Sequence, residues 1–172
     1  MSNPDSPIKV APSCWQKGSE WRRWDPHVHT PESKLGSSFR NLSWDEYVNA
    51  LESAAADADI SVIGVTDYMT IDGYEKLIVE HRDNDRLKTV DLLIPNIELR
   101  MMPQTDDGKA LNLHLLVDPS EPDHVGRIKR ALSNLKFQYD GEDYGCCREE
   151  LIEFGKAQDP SISNDDSELP PK

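Results

Sequence analysis

The segment Asp25-Pro26-His27-Val28-His29-Thr30 holds a carboxylate and two imidazoles at alternate positions. On an extended strand alternate side chains share a face, so Asp25, His27 and His29 are expected to converge on one side. Two imidazoles spaced in this way can ligate one divalent ion. The competing reading is a pair of ordinary surface histidines.

Three further residues could add to such a site. Asp67 directly follows the apolar run Val62-Ile63-Gly64-Val65-Thr66; a carboxylate there either faces a cleft or caps the next helix. Glu98 lies in Ile94-Pro95-Asn96-Ile97-Glu98-Leu99-Arg100. A buried glutamate needs a partner, and a metal ion or Arg100 could serve. His114 sits in Leu111-Asn112-Leu113-His114-Leu115-Leu116-Val117, the most apolar stretch of the chain; it is either a core histidine or a ligand. Each signal is weak alone. Together they place ligand-type residues on four successive predicted strands, three near the C-terminal end, where parallel α/β folds build their sites.

The elements that must position these residues are legible in the periodicity. A strand is predicted over Trp24–His29. Ser43 with Glu46 fits a capping box, and Trp44, Tyr47, Val48, Leu51 and Ala55 give one apolar face to a helix ending near Ala58. Strands are predicted over Ile60–Thr66, Val90–Leu99, with Pro95 marking an irregularity, and Leu111–Val117. Helices are predicted over Asp72–Arg82, Pro122–Leu135 and Glu149–Lys156. The order β-α-β-α-β-β-α-α predicts an α/β fold with a largely parallel sheet. Residues 1–19 read as a flexible arm, 20–157 as the folded unit and 158–172 as a disordered tail.

Composition narrows the function. The 172 residues carry 19 basic and 32 acidic side chains, a formal net charge of −13. Such a surface argues against broad electrostatic capture of nucleic acid, although bound cations could supply local positive charge. The mean hydropathy is −0.67, and no run is apolar enough to span a membrane, so a cytoplasmic location is expected. Three cysteines, two of them adjacent, do not form a disulfide framework.

The strand Asp-x-His-x-His-Thr, the apolar strand ending in Thr66-Asp67, the Ile94-Pro95-Asn96-Ile97-Glu98 segment and the later strand histidine resemble, in that order, the motifs of PHP (polymerase and histidinol phosphatase) domains. The resemblance covers about Trp21 to Val117 and is greatest to the PHP module of large AAA-like ATPases of the TrlF type. It implies a distorted (β/α)7 barrel, of which this chain would hold about four mainly parallel strands without closing the barrel. It implies metal-dependent hydrolysis of phosphomonoesters or nucleic-acid phosphodiesters with zinc, manganese or iron. By motif position His27 and His29 would hold one ion, Glu98 would bridge two, and His114 would hold the second. Asp67 would sit beside the cluster. Tyr68 stands where the family commonly has histidine, which puts a third ion in doubt.

On that reading Asp25 would orient a histidine ligand and Asp67 would assist proton transfer. Arg23 or Arg100 would contact the substrate phosphate. His81 and His124 are expected outside the site, His124 facing solvent. The expected partners are a phosphate ester or nucleic-acid substrate, an ATPase segment or a missing C-terminal half, and a second copy paired through the open sheet edge. The alternative is a non-catalytic regulatory or docking module of a larger ATPase or nucleic-acid-processing protein.

Overall fold

The computed structural model describes residues 21–33, 39, 41–101 and 111–158. The expected arm, and the expected tail beyond Gln158, lie outside the described residues. The order is β1 (Arg23–His29), α1 (Trp44–Asp57), β2 (Ile60–Tyr68), α2 (Asp72–Arg82), β3 (Leu92–Met101), β4 (Leu111–Leu116), α3 (His124–Asn134), β5 (Lys136–Tyr139), β6 (Glu142–Gly145) and α4 (Arg148–Gln158).

Strands β1 to β4 form one sheet in sequence order. It curls as a mostly parallel half-barrel flanked by helices. The β1–β2 and β2–β3 pairs are parallel, whereas β4 runs antiparallel to β3, with Glu98 opposite His114. A small hairpin, β5–β6, lies outside this sheet.

Alternation in the strands divides the sheet into two faces. Ile63 and Val65 of β2 and Leu93, Ile97 and Leu99 of β3 point into the core. There they meet Tyr47, Val48 and Ala55 of α1, Tyr74 and Leu77 of α2, and Ile128 and Leu132 of α3. Burying each large apolar side chain contributes roughly 1.5–3 kcal/mol. The helix α1 begins with the expected capping box, in which Ser43 and Glu46 satisfy each other's backbone amides.

The opposite face carries Thr66 and Tyr68 of β2, Asn96, Glu98 and Arg100 of β3, and Asn112 and His114 of β4. Two local irregularities shape it. The first is in β1, where Asp25 pairs with Ile63 but Val28 pairs with Val65, so one extra residue is bulged out beside Pro26. The Pro26 carbonyl then crosses over Gly64, where a Cβ would lie 2.1 Å from its oxygen; only glycine permits that approach. The second concerns Pro95. It sits in an unbroken β2–β3 ladder rather than at the expected irregularity. Its carbonyl accepts from Val117 N at 3.0 Å, so its missing N–H falls at the end of the β3–β4 ladder, where one bond is lost.

Candidate metal centre

The bulge brings both β1 histidines over Glu98. His27 Nε2 and His29 Nε2 are 3.0 Å apart, and each lies 3.5 Å from Glu98 Oε2. A point about 2.1 Å from all three atoms, the distance zinc keeps from imidazole nitrogen and carboxylate oxygen, lies just off the plane of that triangle. These three side chains form a group that could hold a metal ion. Glu98 is only 1% exposed, and its Oε2 has no hydrogen-bond partner. A buried carboxylate oxygen aimed between two imidazoles and bonded to neither is what a cation-binding group presents without its cation.

Two of the histidines, His29 and His114, are held in the tautomers that ligation needs. His29 Nδ1 lies 3.1 Å from the Thr66 carbonyl oxygen. A carbonyl only accepts, so Nδ1 carries the proton and the Nε2 lone pair faces Glu98. Burial lowers the His29 pKa, with the nearby Glu98 charge opposing it, and so favours the neutral imidazole. Tyr47 Oη donates to the His29 carbonyl at 3.0 Å, and the Tyr68 ring stacks on the imidazole at 5.4 Å and 14°. The ligand is thereby fixed from three sides.

His114 is oriented by Asn96, for which no role was foreseen. The Asn96 amide nitrogen donates to the Pro26 carbonyl at 2.8 Å and to Thr66 Oγ1 at 3.0 Å. That orientation leaves Asn96 Oδ1 to accept from His114 Nδ1 at 3.2 Å. In the neutral ring this puts the lone pair on His114 Nε2, which sits 4.0 Å from Glu98 Oε1. Glu98 thus stands between two groups, with Oε2 toward His27 and His29 and Oε1 toward His114. Asn112, also unforeseen, donates to Oε1. A buried asparagine two residues before a buried glutamate in an apolar strand was the available signal for Asn96, since its amide had to be satisfied inside the fold.

Three expected participants are not brought to the cluster. Asp25 lies on the far side of the bulge, which breaks the assumed alternation, and its carboxylate accepts from the His27 backbone N–H at 3.2 Å. The His29 ring is oriented by the Thr66 carbonyl instead. Asp67 points to the helix-covered face, opposite Tyr68. Its Oδ2 accepts from Gly73 N at 2.7 Å and its Oδ1 from Thr30 Oγ1 at 2.9 Å. It therefore caps α2, whose own N-cap residue, Ile71, has no side chain able to do so. Burial raises the Asp67 pKa to about 6. Arg23 sits at the start of β1, about 20 Å along the strand from His29, and its guanidinium donates to the Ala58 carbonyl at the end of α1.

Arg100 does share the face of Glu98. It is not ion-paired with it; its guanidinium carbon lies 5.9 Å from the centroid of the Tyr68 ring. Of the remaining histidines, His81 donates from Nε2 to the Val90 carbonyl at 2.8 Å, away from the site. His124 is buried rather than solvent-facing, because its ring bridges the Glu121 carbonyl and the Tyr74 hydroxyl, 2.7 and 2.8 Å away.

No protein-family model matches this chain, and no curated protein does. The site is therefore read from its own geometry. No helix among the described residues is long and apolar enough to cross a membrane.

Proposed function

We propose that this chain carries a divalent-metal centre of the PHP type and acts in phosphoester hydrolysis. The observation that supports this reading most is the orphaned Oε2 of the buried Glu98, equidistant from two imidazole nitrogens. His27, His29 and Glu98 would hold one ion, and His114 with the other Glu98 oxygen would hold a second. Zinc, manganese and iron all suit a donor set of neutral imidazoles and one carboxylate. When bound, such an ion polarises a phosphoryl group and activates the water that attacks it. The protein's own part is to aim the His29 and His114 rings, through the Thr66 carbonyl and Asn96, and to leave the ligand set open toward the side of His27. Its side chain is 46% exposed.

The test is metal content by elemental analysis, followed by hydrolysis of an aryl phosphate and of short single-stranded DNA. One to two ions per chain are expected, with the ion of the His27, His29 and Glu98 group lost in His29→Ala, and hydrolysis that requires it. A folded wild type that takes up no zinc, manganese or iron overturns the reading. The docking alternative draws on one observation: β4 is an edge strand whose Leu111, Leu113, Leu115 and Leu116 are all exposed. On that reading His27→Ala leaves the activity of an assembled complex intact, and charges placed on β4 abolish assembly.

A further inference from the structure

The sheet face opposite the metal cluster borders a cleft that the proposed chemistry does not use. It lies between β4 and α3 and measures about 560 Å³, within the range of roughly 300–1,000 Å³ typical of small-molecule sites. Ile97 and Leu115, paired across β3–β4, form its sheet side. They alternate with Glu98 and His114, which are paired on the other face. Ile128 and Leu132 of α3 also border it and anchor the helix in the core. The next row of the helix, Arg127, Ala131 and Leu135, lines it at the four-residue spacing that keeps side chains in line. Ala131 stands in the middle of that row, and its single methyl leaves open the space that a larger side chain there would fill.

Polar groups gather at one end. There the chain turns from β4 into α3 through Asp118, Glu121 and His124, which line the cleft. His124 has both ring nitrogens engaged, with the Glu121 carbonyl at 2.7 Å and the Tyr74 hydroxyl at 2.8 Å. The charged groups facing a ligand are therefore the carboxylates of Asp118 and Glu121 and the guanidinium of Arg127. Asp118 accepts from Ser120 N at 2.9 Å, which lowers its pKa and keeps it an anion. Two carboxylates against one guanidinium favour a cation. Toward Leu135 the walls are apolar, and α3 rises about 16 Å from His124 to Leu135. A charged head on an apolar chain matches this layout. A peptide helix, about 10–12 Å across with its side chains, would rest on the rim at Leu115 and Leu135, which are exposed. An unbranched chain can run between the walls.

We propose that this cleft binds a small amphipathic cation of the alkylammonium class, its chain between β4 and α3 and its ammonium at the Asp118 and Glu121 end. The site is separate from the metal cluster and does not rest on that reading. Its test is calorimetric titration with octylammonium, butylammonium and octanoate at pH 7.5, in chelator so that no metal can hold the amine or the carboxylate. Wild type is expected to bind one octylammonium per chain, at least tenfold more tightly than octanoate. Each buried methylene adds about a threefold to fourfold gain in affinity, so butylammonium is expected to bind at least tenfold more weakly. Ala131→Phe fills the cleft from an exposed helix position and is expected to weaken octylammonium binding at least tenfold. Asp118→Asn combined with Glu121→Gln is expected to weaken it about tenfold, the value of a charge-assisted contact, and to narrow the preference over octanoate. Should Ala131→Phe not fold, that double variant, changed at two exposed positions, carries the test. The proposal is overturned if folded wild type shows no saturable octylammonium binding or takes octanoate as tightly. It is equally overturned if either folded variant binds octylammonium as wild type does.

Discussion

Glu98→Gln separates a metal ligand from a structural ion pair, because the two roles predict opposite effects on stability. In the metal-free protein one carboxylate oxygen is buried without a partner. Replacing it with an amide N–H₂ gives the facing imidazole nitrogens a donor and removes a desolvated charge, while the remaining oxygen still accepts from Asn112. Relief of one unsatisfied buried group is worth about 2 kcal/mol, and more for a charged one. For a chain of this size that raises Tm by roughly 4–8 °C. With metal the order reverses. A ligand at a thousandfold excess over its Kd stabilises the native state by about 4 kcal/mol. Loss of the single anionic ligand with a hundredfold drop in affinity would remove about 2.7 kcal/mol of that. The assay is thermal unfolding of both proteins at pH 8, once with chelator and once across a zinc titration. The expected result is that the variant melts higher in chelator and lower in zinc. If the variant is instead the less stable protein in chelator, and zinc leaves the wild-type Tm unmoved, Glu98 is a structural partner of protonated histidine and the metal-centre argument fails.

Other perturbations test the scaffold. Asp67 has a folded pKa of about 6, above an unfolded value of about 3.9, so the native state binds the proton more tightly. Its contribution is fully present below about pH 4 and is lost as pH rises to about 6, a swing on the order of 3 kcal/mol. Asp67→Asn is expected to abolish that slope in urea-unfolding midpoints measured from pH 4 to 7. Asp67→Ala is expected to be less stable by about 1–3 kcal/mol at every pH, because Gly73 N–H loses its acceptor; an equal slope in wild type and Asp67→Asn would refute the assignment. Gly64→Ala drives a Cβ into the Pro26 carbonyl and is expected to cost about 3 kcal/mol and to weaken zinc binding in the same titration. Leu113→Lys places a charge on the open edge of β4 and is expected to reduce self-association in sedimentation velocity, and an unchanged profile would show that the edge does not pair.

The sequence carried the ligand types and their strand context well, and it carried parity badly. Alternation predicted that His27 and His29 share a face. The same rule failed for Asp25 because a bulge at Pro26 inserts an extra residue, and nothing in the local composition demands a bulge. Asp67 was ambiguous between cleft and cap. Its parity follows only once Tyr68 is known to face the ligands, and that is set by pairing with β3, thirty residues away in sequence. Some misses were readable. The connection from Met101 to Leu111 is shorter than the dozen residues a parallel crossover needs, so β4 had to run antiparallel. Asp140-Gly141, with φ of 49° and 85°, forms a hairpin turn of the kind this dipeptide favours, and it joins β5 to β6. The burial of His124 against Tyr74, fifty residues distant, left no trace in either segment.

The features that sequence periodicity could not supply are the ones that organise the site. A regular strand at β1 would direct the Pro26 carbonyl into the ladder with β2. The bulge turns it instead over Gly64 to the Asn96 amide. That bond fixes which end of Asn96 faces His114, and so which imidazole nitrogen carries the proton. The Thr66 carbonyl does the same for His29. The lone pairs of His29 and His114 are therefore turned toward one buried carboxylate by a backbone carbonyl and an amide that hold each ring by its other nitrogen. Aligning those lone pairs around a desolvated charge is unfavourable in the free protein and favourable only around a cation. A fold under selection for stability alone gains nothing from this arrangement, since apolar residues at Glu98 and His114 would continue the surrounding strands. The unfavourable cluster is confined to one face of a sheet whose other face is packed with Ile63, Val65, Leu93 and Ile97, and that rigid backing is what lets it persist.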